Sequence, residues 1–294
     1  MAANGTTSQK VWLITGTSSG LGQEIARAAL KKGDIVVATA RDPSKLSKLA
    51  SLGAITDYAL DVTSPDAVLS ETISRITSDP RTHGRIDILV NNAGYILTGA
   101  VEECSAAEVQ ATFNTNVFGQ LAVLRAVLPV MRAQKSGVVA NLGSIGGWRG
   151  TPAAGLYCAT KACAFILSES LRDEVKHMGI KVTCIEPGYF RTNFLAPGHK
   201  TRAEKVIEDY AAGASGGTHG ALEAYDRKQP GDPTKAAQLI VEALTGTGSC
   251  QGKELPTRFV VGKDAYGMVK DVVEQHVGAL EEWKGLTTAT DCDD

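Results

Sequence analysis

Tyr157 and Lys161 stand four residues apart in the stretch Tyr157-Cys158-Ala159-Thr160-Lys161. On a helix that spacing puts a phenol and an ammonium on one face, where they can share a site. A nearby cation favours phenolate and is expected to draw the tyrosine pKa down toward working pH. Tyr157 is then a candidate proton donor and acceptor. The same pair also arises by chance on surface helices, so its meaning depends on what the chain builds around it. Ser144 lies thirteen residues ahead, in Gly143-Ser144-Ile145-Gly146-Gly147. Taken alone it is a turn residue, but just beyond a buried strand it stands where open parallel sheets bind ligands. Asn116 falls inside a helical stretch, where an amide competes for backbone hydrogen bonds. It is either a satisfied polar residue or an inward-facing amide that holds a water.

These side chains need a scaffold, and the chain supplies a repeating one. Val11 to Ile14 is wholly apolar and runs into Thr15-Gly16-Thr17-Ser18-Ser19-Gly20-Leu21-Gly22, after which Leu21, Ile25, Ala28 and Ala29 recur at helical spacing. This reads as strand, glycine turn and helix. Glycines let backbone approach a phosphate, and the free N–H groups at a helix start favour its charge. The spacing of Gly16, Gly20 and Gly22 differs from the commonest dinucleotide fingerprint, G-x-G-x-x-G. A second strand, Ile35 to Thr39, leads to Arg41, with Asp42-Pro43 as cap and first residue of a helix. An acid at this place would bind a ribose hydroxyl, whereas an arginine can meet the 2′-phosphate of NADP. Asp42 is the rival for the ribose role; reading it as the cap favours NADP.

Third and fourth strands are expected at Ile55 to Leu60, ending in Asp61-Val62, and at Ile86 to Val90, ending in Asn91-Asn92-Ala93-Gly94. Asp61 is either a turn residue or a partner for an adenine amino group. The asparagines can pair backbone groups across neighbouring turns, and Ala93-Gly94 leave room for a ribose. Ser105-Ala106-Ala107-Glu108 fits a capping box ahead of a long amphipathic helix. Val138 to Leu142 and Val182 to Ile185 follow as strands, the second running into Glu186-Pro187-Gly188, with the helix from Ala159 to Lys176 between them. Residues 190–229 break the pattern: Ala211 to Gly220 holds four glycines, and long irregular insertions in compact domains are functional or disordered. A substrate lid is the expectation. A helix opened by Asp232-Pro233, a strand at Phe259 to Val261 and a helix from Asp264 to Trp283 complete the chain, with 287–294 expected to be a poorly ordered tail.

Strands that are apolar throughout and alternate with helices indicate a parallel sheet buried on both faces. The fold class expected is α/β, a doubly wound, Rossmann-type parallel sheet of about seven strands in one domain spanning residues 1–294. The 294-residue chain is 43% hydrophobic and 21% charged, with a formal net charge of -2. That balance argues against nucleic acid as a partner. The polar Met1 to Lys10 has no apolar core of a signal peptide, and no stretch reaches the ~18 apolar residues of a membrane span; a cytoplasmic location is the default. The six cysteines show no metal spacing, so no metal is expected.

Taken together, the chain resembles the short-chain dehydrogenase/reductase family over nearly its whole length. The matching residues are Thr15-Gly16-x-x-x-Gly20-x-Gly22, Asp61, Asn91-Asn92-Ala93-Gly94, Asn116, Ser144, Tyr157-x-x-x-Lys161, and Pro187-Gly188 followed by Thr192. The finer likeness is to fungal, NADP-dependent members. The resemblance implies a catalytic set of Asn116, Ser144, Tyr157 and Lys161. It implies NADP(H) held by Gly16, Ser18, Ser19, Gly20, Leu21, Gly22, Arg41, Asp61, Val62, Asn92, Ala93, Gly94, Asn116, Tyr157, Lys161, Pro187, Gly188 and Thr192. In that scheme Tyr157 exchanges a proton with a carbonyl or alcohol oxygen and Ser144 polarises it. Lys161 lowers the tyrosine pKa and binds ribose hydroxyls, and Asn116 positions a water. The expected activity is interconversion of a carbonyl and a secondary alcohol on a moderately apolar small molecule, by a homodimer or homotetramer. Ser19 stands where many NADP-preferring members carry a second basic residue. Other classes that use the same residues are a non-catalytic dinucleotide sensor and a biosynthetic reductase or isomerase acting on an imine or enone.

Overall fold

The computed structural model describes residues 9–196 and 200–292; the start of the polar N-terminus, 197–199 of the expected lid and the last two residues of the expected tail lie outside them. Among the described residues eight strands are formed: β1 (Val11–Ile14), β2 (Ile35–Ala38), β3 (Ile88–Asn91), β4 (Ile96–Thr98), β5 (Gly137–Leu142), β6 (Ile180–Pro187), β7 (Lys200–Arg202) and β8 (Arg258–Val261). Six make one sheet in the order β2-β1-β3-β5-β6-β8, parallel at every pairing, and β4 pairs with β7 in a small second sheet. The helices are α1 (Gly20–Lys31), α2 (Ser47–Ala50), α3 (Asp66–Ser78), α4 (Ala106–Phe113), α5 (Gly119–Gln134), α6 (Gly155–Val175), α7 (Glu208–Ala211), α8 (Ala214–Tyr225), α9 (Pro233–Thr245) and α10 (Lys263–Thr287).

Side chains alternate along each strand, and both faces of this sheet are covered. Trp12 and Ile14 pack with α1 and α9 through Ile25, Ala29, Ile240 and Val241. Leu13 and Leu89 point the other way, into Leu69, Ile73, Val123 and Val127 of α3 and α5. The wholly apolar strands of the sequence are thus the two-sided sheet they suggest. The expected strand at Ile55 to Leu60 is replaced by two isolated bridges beside the edge strand, Val37 with Ile55 and Ala40 with Ala59. Thr56 and Asp57 lie between them and turn toward solvent, with Asp57 paired to Arg81, so the ladder is interrupted.

The caps form as their residue types predict. Asp42 accepts from Ser44 N at 3.0 Å, Asp232 from Thr234 N at 2.9 Å, and Ser105 with Glu108 completes a capping box. The long helix expected beyond Ser105 is interrupted by a π-helical turn, Asn114–Phe118, between α4 and α5. At the far end, α10 carries past the expected stop at Trp283 to Thr287, and Thr288 N closes its last turn on Lys284 O at 3.0 Å.

The region expected to be irregular is largely ordered, and the glycine-rich stretch is the start of α8. Its order comes from the body of the domain rather than from local propensity. Glu103, 7% exposed, accepts from Ala100 N at 2.8 Å and from Ile207 N at 3.0 Å, and Glu108 accepts from Glu204 N at 2.9 Å. β7 adds Ala203 N to Thr98 O at 2.8 Å. The two backbone bonds hold the Glu103 carboxyl below its ordinary pKa. Replacing Glu103 with alanine is expected to cost about 1–3 kcal/mol. It should also speed amide exchange at Ile207 while leaving the β1 amides protected, as read by hydrogen-exchange mass spectrometry.

Candidate active site

Every strand of the main sheet runs the same way, so the turns after β1, β3, β5 and β6 gather at one edge. Gly16 and Gly20 take φ of +69° and +65°, in the left-handed region that glycine tolerates. A Cβ on Gly16 would lie 2.9 Å from Ala93 Cα, so that glycine also lets two turns touch. Asn92 fastens them: its Nδ2 donates to Thr15 O and Gly16 O, both at 2.9 Å. In return Thr15 Oγ1 accepts from Asn92 N at 3.0 Å and Ala93 N at 3.1 Å. The expected pairing across neighbouring turns is therefore made by Asn92. Asn91 points elsewhere, into a buried chain with Asn141 and Ser168.

A cavity of about 1370 Å³ opens over these turns. Ser144, Tyr157 and Lys161 line one end, Arg41 and Asp61 another, and Gly16, Ser18, Ser19, Gly20, Leu21, Val62, Asn92, Ala93, Gly94, Pro187, Gly188 and Thr192 also line it. Two of the residues inferred from sequence do not reach it. Gly22 packs against the Asn92 side chain. Asn116, 3% exposed, uses both ends of its amide on protein: Oδ1 accepts from Tyr95 N at 3.1 Å, and Nδ2 donates to Tyr95 O at 2.9 Å and Thr160 Oγ1 at 3.2 Å. The π-helical turn turns that amide inward, a deviation often found at functional sites, and there it braces α6 against the turn after β3.

Tyr157 and Lys161 both lie on the first turns of α6 and are buried. The Ser144 hydroxyl lies at the same end of the cavity and draws the Tyr157 phenol's pKa down, and Ser144 Oγ itself accepts from Gly146 N at 3.0 Å. Lys161 Nζ donates to Leu142 O at 2.7 Å and lies 5.7 Å from the centroid of the Tyr157 ring. The expected depression of the tyrosine pKa is not what the surroundings produce. Burial pushes the phenol up, and the Ser144 bond is the influence that pulls it back. Lys161 is directed at the carbonyl and responds to burial itself, which lowers its pKa to about 8. A hydroxyl, a phenol and an easily neutralised amine are thus gathered at one end of the cavity.

The sequence reading missed part of the wall. Lys45 stands beside Arg41 at the cationic end. Its place four residues on, beyond the Asp42-Pro43 helix start, is a signal that could have been read. Phe194, whose ring centroid lies 5.9 Å from that of Tyr157, also lines the cavity, as do Leu195, Leu222 and Met268. They come from the stretch 190–229 and from α10, and no local spacing marks them.

The model of a family described as short chain dehydrogenase matches residues 10–203. The chain belongs to the short-chain dehydrogenase family. Among the relatives of this short-chain dehydrogenase is Oxidoreductase BOA17 of Botryotinia fuckeliana, 37% identical over 288 residues, 96% of this chain and 99% of that one. A 3-ketodihydrosphingosine reductase of Bacteroides thetaiotaomicron is 38% identical over 202 residues, 69% of this chain and 72% of that one. A crystal structure of a short-chain dehydrogenase from Streptomyces avermitilis superposes with a TM-score of 0.85 at 38% identity, covering 97% of this chain and all of that one. The family's oxidoreductase class and its parallel-sheet architecture are thereby shared. Among the described residues no helix is long and apolar enough to cross a membrane.

Burial of Lys161 has a thermodynamic sign. A lysine whose folded pKa lies below its ordinary 10.5 destabilises the fold fully below about pH 8, and the penalty fades as pH rises from about 8 to 10.5. Wild type is therefore expected to gain stability relative to Lys161→Met across that window. Paired thermal melts at pH 7 and pH 10 measure the change; a difference in Tm that is flat with pH would contradict it.

Proposed function

We propose that this short-chain dehydrogenase uses NADP(H) to interconvert a carbonyl and a secondary alcohol on a moderately apolar small molecule. The observation that carries the reading is the meeting of Ser144, Tyr157 and Lys161 in the same cavity that reaches the glycine turn and Arg41. The cavity exceeds the ~300–1,000 Å³ of ordinary small-molecule sites, which suits a dinucleotide together with a substrate. Phosphates fit the glycine turn at the start of the twelve-residue α1. Arg41 and Lys45 are exposed cations on the cavity wall, and they suit a 2′-phosphate. Asp42, the rival for a ribose contact, has its Oδ1 engaged by Ser44 N at 3.0 Å and Ser44 Oγ at 2.6 Å. The Bacteroides relative, a keto reductase by name, supports carbonyl chemistry.

When bound, the nicotinamide ring supplies or accepts the hydride. The chain supplies the rest. In reduction Tyr157 Oη delivers its proton to the oxygen that gains charge, and in oxidation it takes that proton back. The Ser144 hydroxyl donates a second hydrogen bond to the same oxygen. A buried phenol with a raised pKa favours holding the proton, so Lys161, able to carry charge near neutral pH, stabilises the anion left after transfer. Apolar walls from Ile96, Ala154, Phe194, Leu195, Leu222 and Met268 keep water from the reacting carbon.

A panel of aromatic aldehydes, cyclic ketones and secondary alcohols, assayed with NADPH or NADP⁺, tests the reading. Tyr157→Phe is expected to abolish turnover with NADPH binding retained by fluorescence titration; substantial residual turnover would sink the role given to Tyr157. The cofactor preference is tested apart. Arg41→Ala combined with Lys45→Ala should lower kcat/KM for NADPH by ~10–100-fold with little change for NADH, and an equal loss for both would reject the cationic end as a 2′-phosphate site.

A further inference from the structure

Just after Ser144 the chain makes a side-chain assembly that the proposed chemistry does not use. The Arg258 guanidinium lies 3.4 Å from the ring centroid of Trp148 and 3.3 Å from that of Phe165. The two rings are parallel within 5°, their centroids 6.4 Å apart, so the cation is held between them as a planar guanidinium can be. At its edge Arg258 Nε donates to both Glu186 oxygens at 3.0 Å, and Nη2 donates to Oε1. Trp148 Nε1 donates to Glu186 Oε2 at 2.8 Å. Glu186 is fully buried, and a buried carboxylate persists only when its lone pairs are met in this way.

The assembly ties together four places: the turn after β5 through Trp148, α6 through Phe165, β8 through Arg258, and the end of β6 through Glu186. Its relation to Ser144 is direct. The turn Ile145–Gly147 begins with Ser144 as its cap and ends at Trp148, with Gly147 N on Ser144 O at 2.9 Å and Trp148 N on Ile145 O at 3.0 Å. That turn is pressed against α6. A Cβ on Gly147 would lie 3.0 Å from Lys161 O, and one on Gly146 would lie 3.1 Å from Cys158 Sγ and 3.7 Å from Tyr157 Cε1. One end of a short turn is therefore anchored in the cation sandwich while the other carries the hydroxyl that meets Tyr157.

We infer that Trp148, Phe165, Arg258 and Glu186 are positioning residues for Ser144, holding its hydroxyl in line with the Tyr157 phenol. The inference rests on the reading in which Ser144 and Tyr157 share the substrate oxygen. It differs from a merely structural latch in one consequence: loss of the sandwich acts through Ser144 and through nothing else in the reaction.

A double-mutant cycle separates the two. With 4-nitrobenzaldehyde and NADPH as probes, Trp148→Ala is expected to lower kcat roughly 100-fold, the scale for misplacing a reacting group by about 1 Å, with NADPH affinity within about twofold of wild type. In a Ser144→Ala background the same substitution should cost nothing further. An equal loss in both backgrounds, or no loss in either, overturns the inference. Trp148→Phe keeps a ring over Arg258 and drops only the Nε1 donor, so it should fall between wild type and alanine, and it serves if alanine does not fold. The Ser144 bond lowers the Tyr157 pKa. Trp148→Ala should thus move to higher pH the limb along which kcat for alcohol oxidation rises with pH, where a structural defect would only reduce its height. A crystal structure of Trp148→Ala or Trp148→Phe with the Ser144–Tyr157 bond undisturbed would overturn the inference without reference to any substrate. Residual turnover in Tyr157→Phe would instead remove the reading beneath it.

Discussion

The site depends on an ammonium placed under the edge of a sheet. Lys161 is 7% exposed, and its Nζ is held by the carbonyl of Leu142, the last residue of β5. A charge so buried has to be met by a fixed partner, and that need governs how α6 may lie. The helix must bring its second turn against the end of the strand, so the turn carrying Ser144 passes between them with no room for side chains at Gly146 and Gly147. It must also be braced from the other side. That brace is Thr160, 0% exposed and bonded to the Asn116 amide, which in turn holds both backbone polar groups of Tyr95. A π-helical turn in an otherwise regular helix is what it takes to point that amide inward. Much of the small-residue and amide chemistry around the site follows from one cation and one carbonyl.

The two ends of the cavity face opposite electrostatic demands. At the end near Arg41 and Lys45 the cations are exposed to solvent. At the end near Tyr157 burial works against charge on every group: it raises the phenol, lowers the ammonium to about 8 and raises the thiol of Cys158. The phenol is thereby held toward its neutral state, while the lysine is left where either state is accessible near neutral pH. The expectation that Lys161 alone would tune Tyr157 treated the pair as though it stood in water. In the fold, desolvation is the larger influence and Ser144 supplies the opposing hydrogen bond.

How far the chain could be read before its structure was known follows from the range of the interactions. The six sheet strands, the glycine turn, the caps at Asp42, Ser105 and Asp232, and the grouping of Ser144 with Tyr157 and Lys161 rest on patterns within about a dozen residues, and these were legible. The Ile55 to Leu60 segment had a strand's composition but an edge position with Asp57 drawn to Arg81, and so became two bridges. The π turn at Asn114–Phe118 obeys a contact with Tyr95 some twenty residues earlier, which helical periodicity cannot show. Asn116 was marked as unusual, yet its partners were not visible. The sandwich around Arg258 joins residues 148, 165, 186 and 258, each unremarkable in its own stretch.

The glycine-rich segment shows the same limit more sharply. Four glycines between Ala211 and Gly220 argue against helix, yet α8 forms there with Gly213 as its N-cap and three of them inside it, each costing about 1 kcal/mol relative to alanine. The helix is admitted because the chain before it is already fixed to the body: Glu103 and Glu108 accept its backbone N–H groups, Tyr210 Oη donates to Glu102 at 2.9 Å, and β7 pairs with β4. Anchored at that end, α8 brings Leu222 to the cavity, buried at 7% exposure, and little else of the helix is buried. The two sides of the cavity are thus different kinds of structure: the Lys161 side rests on a cation, a carbonyl and close-packed glycine turns, the α8 side on a wall whose own sequence barely holds it in shape.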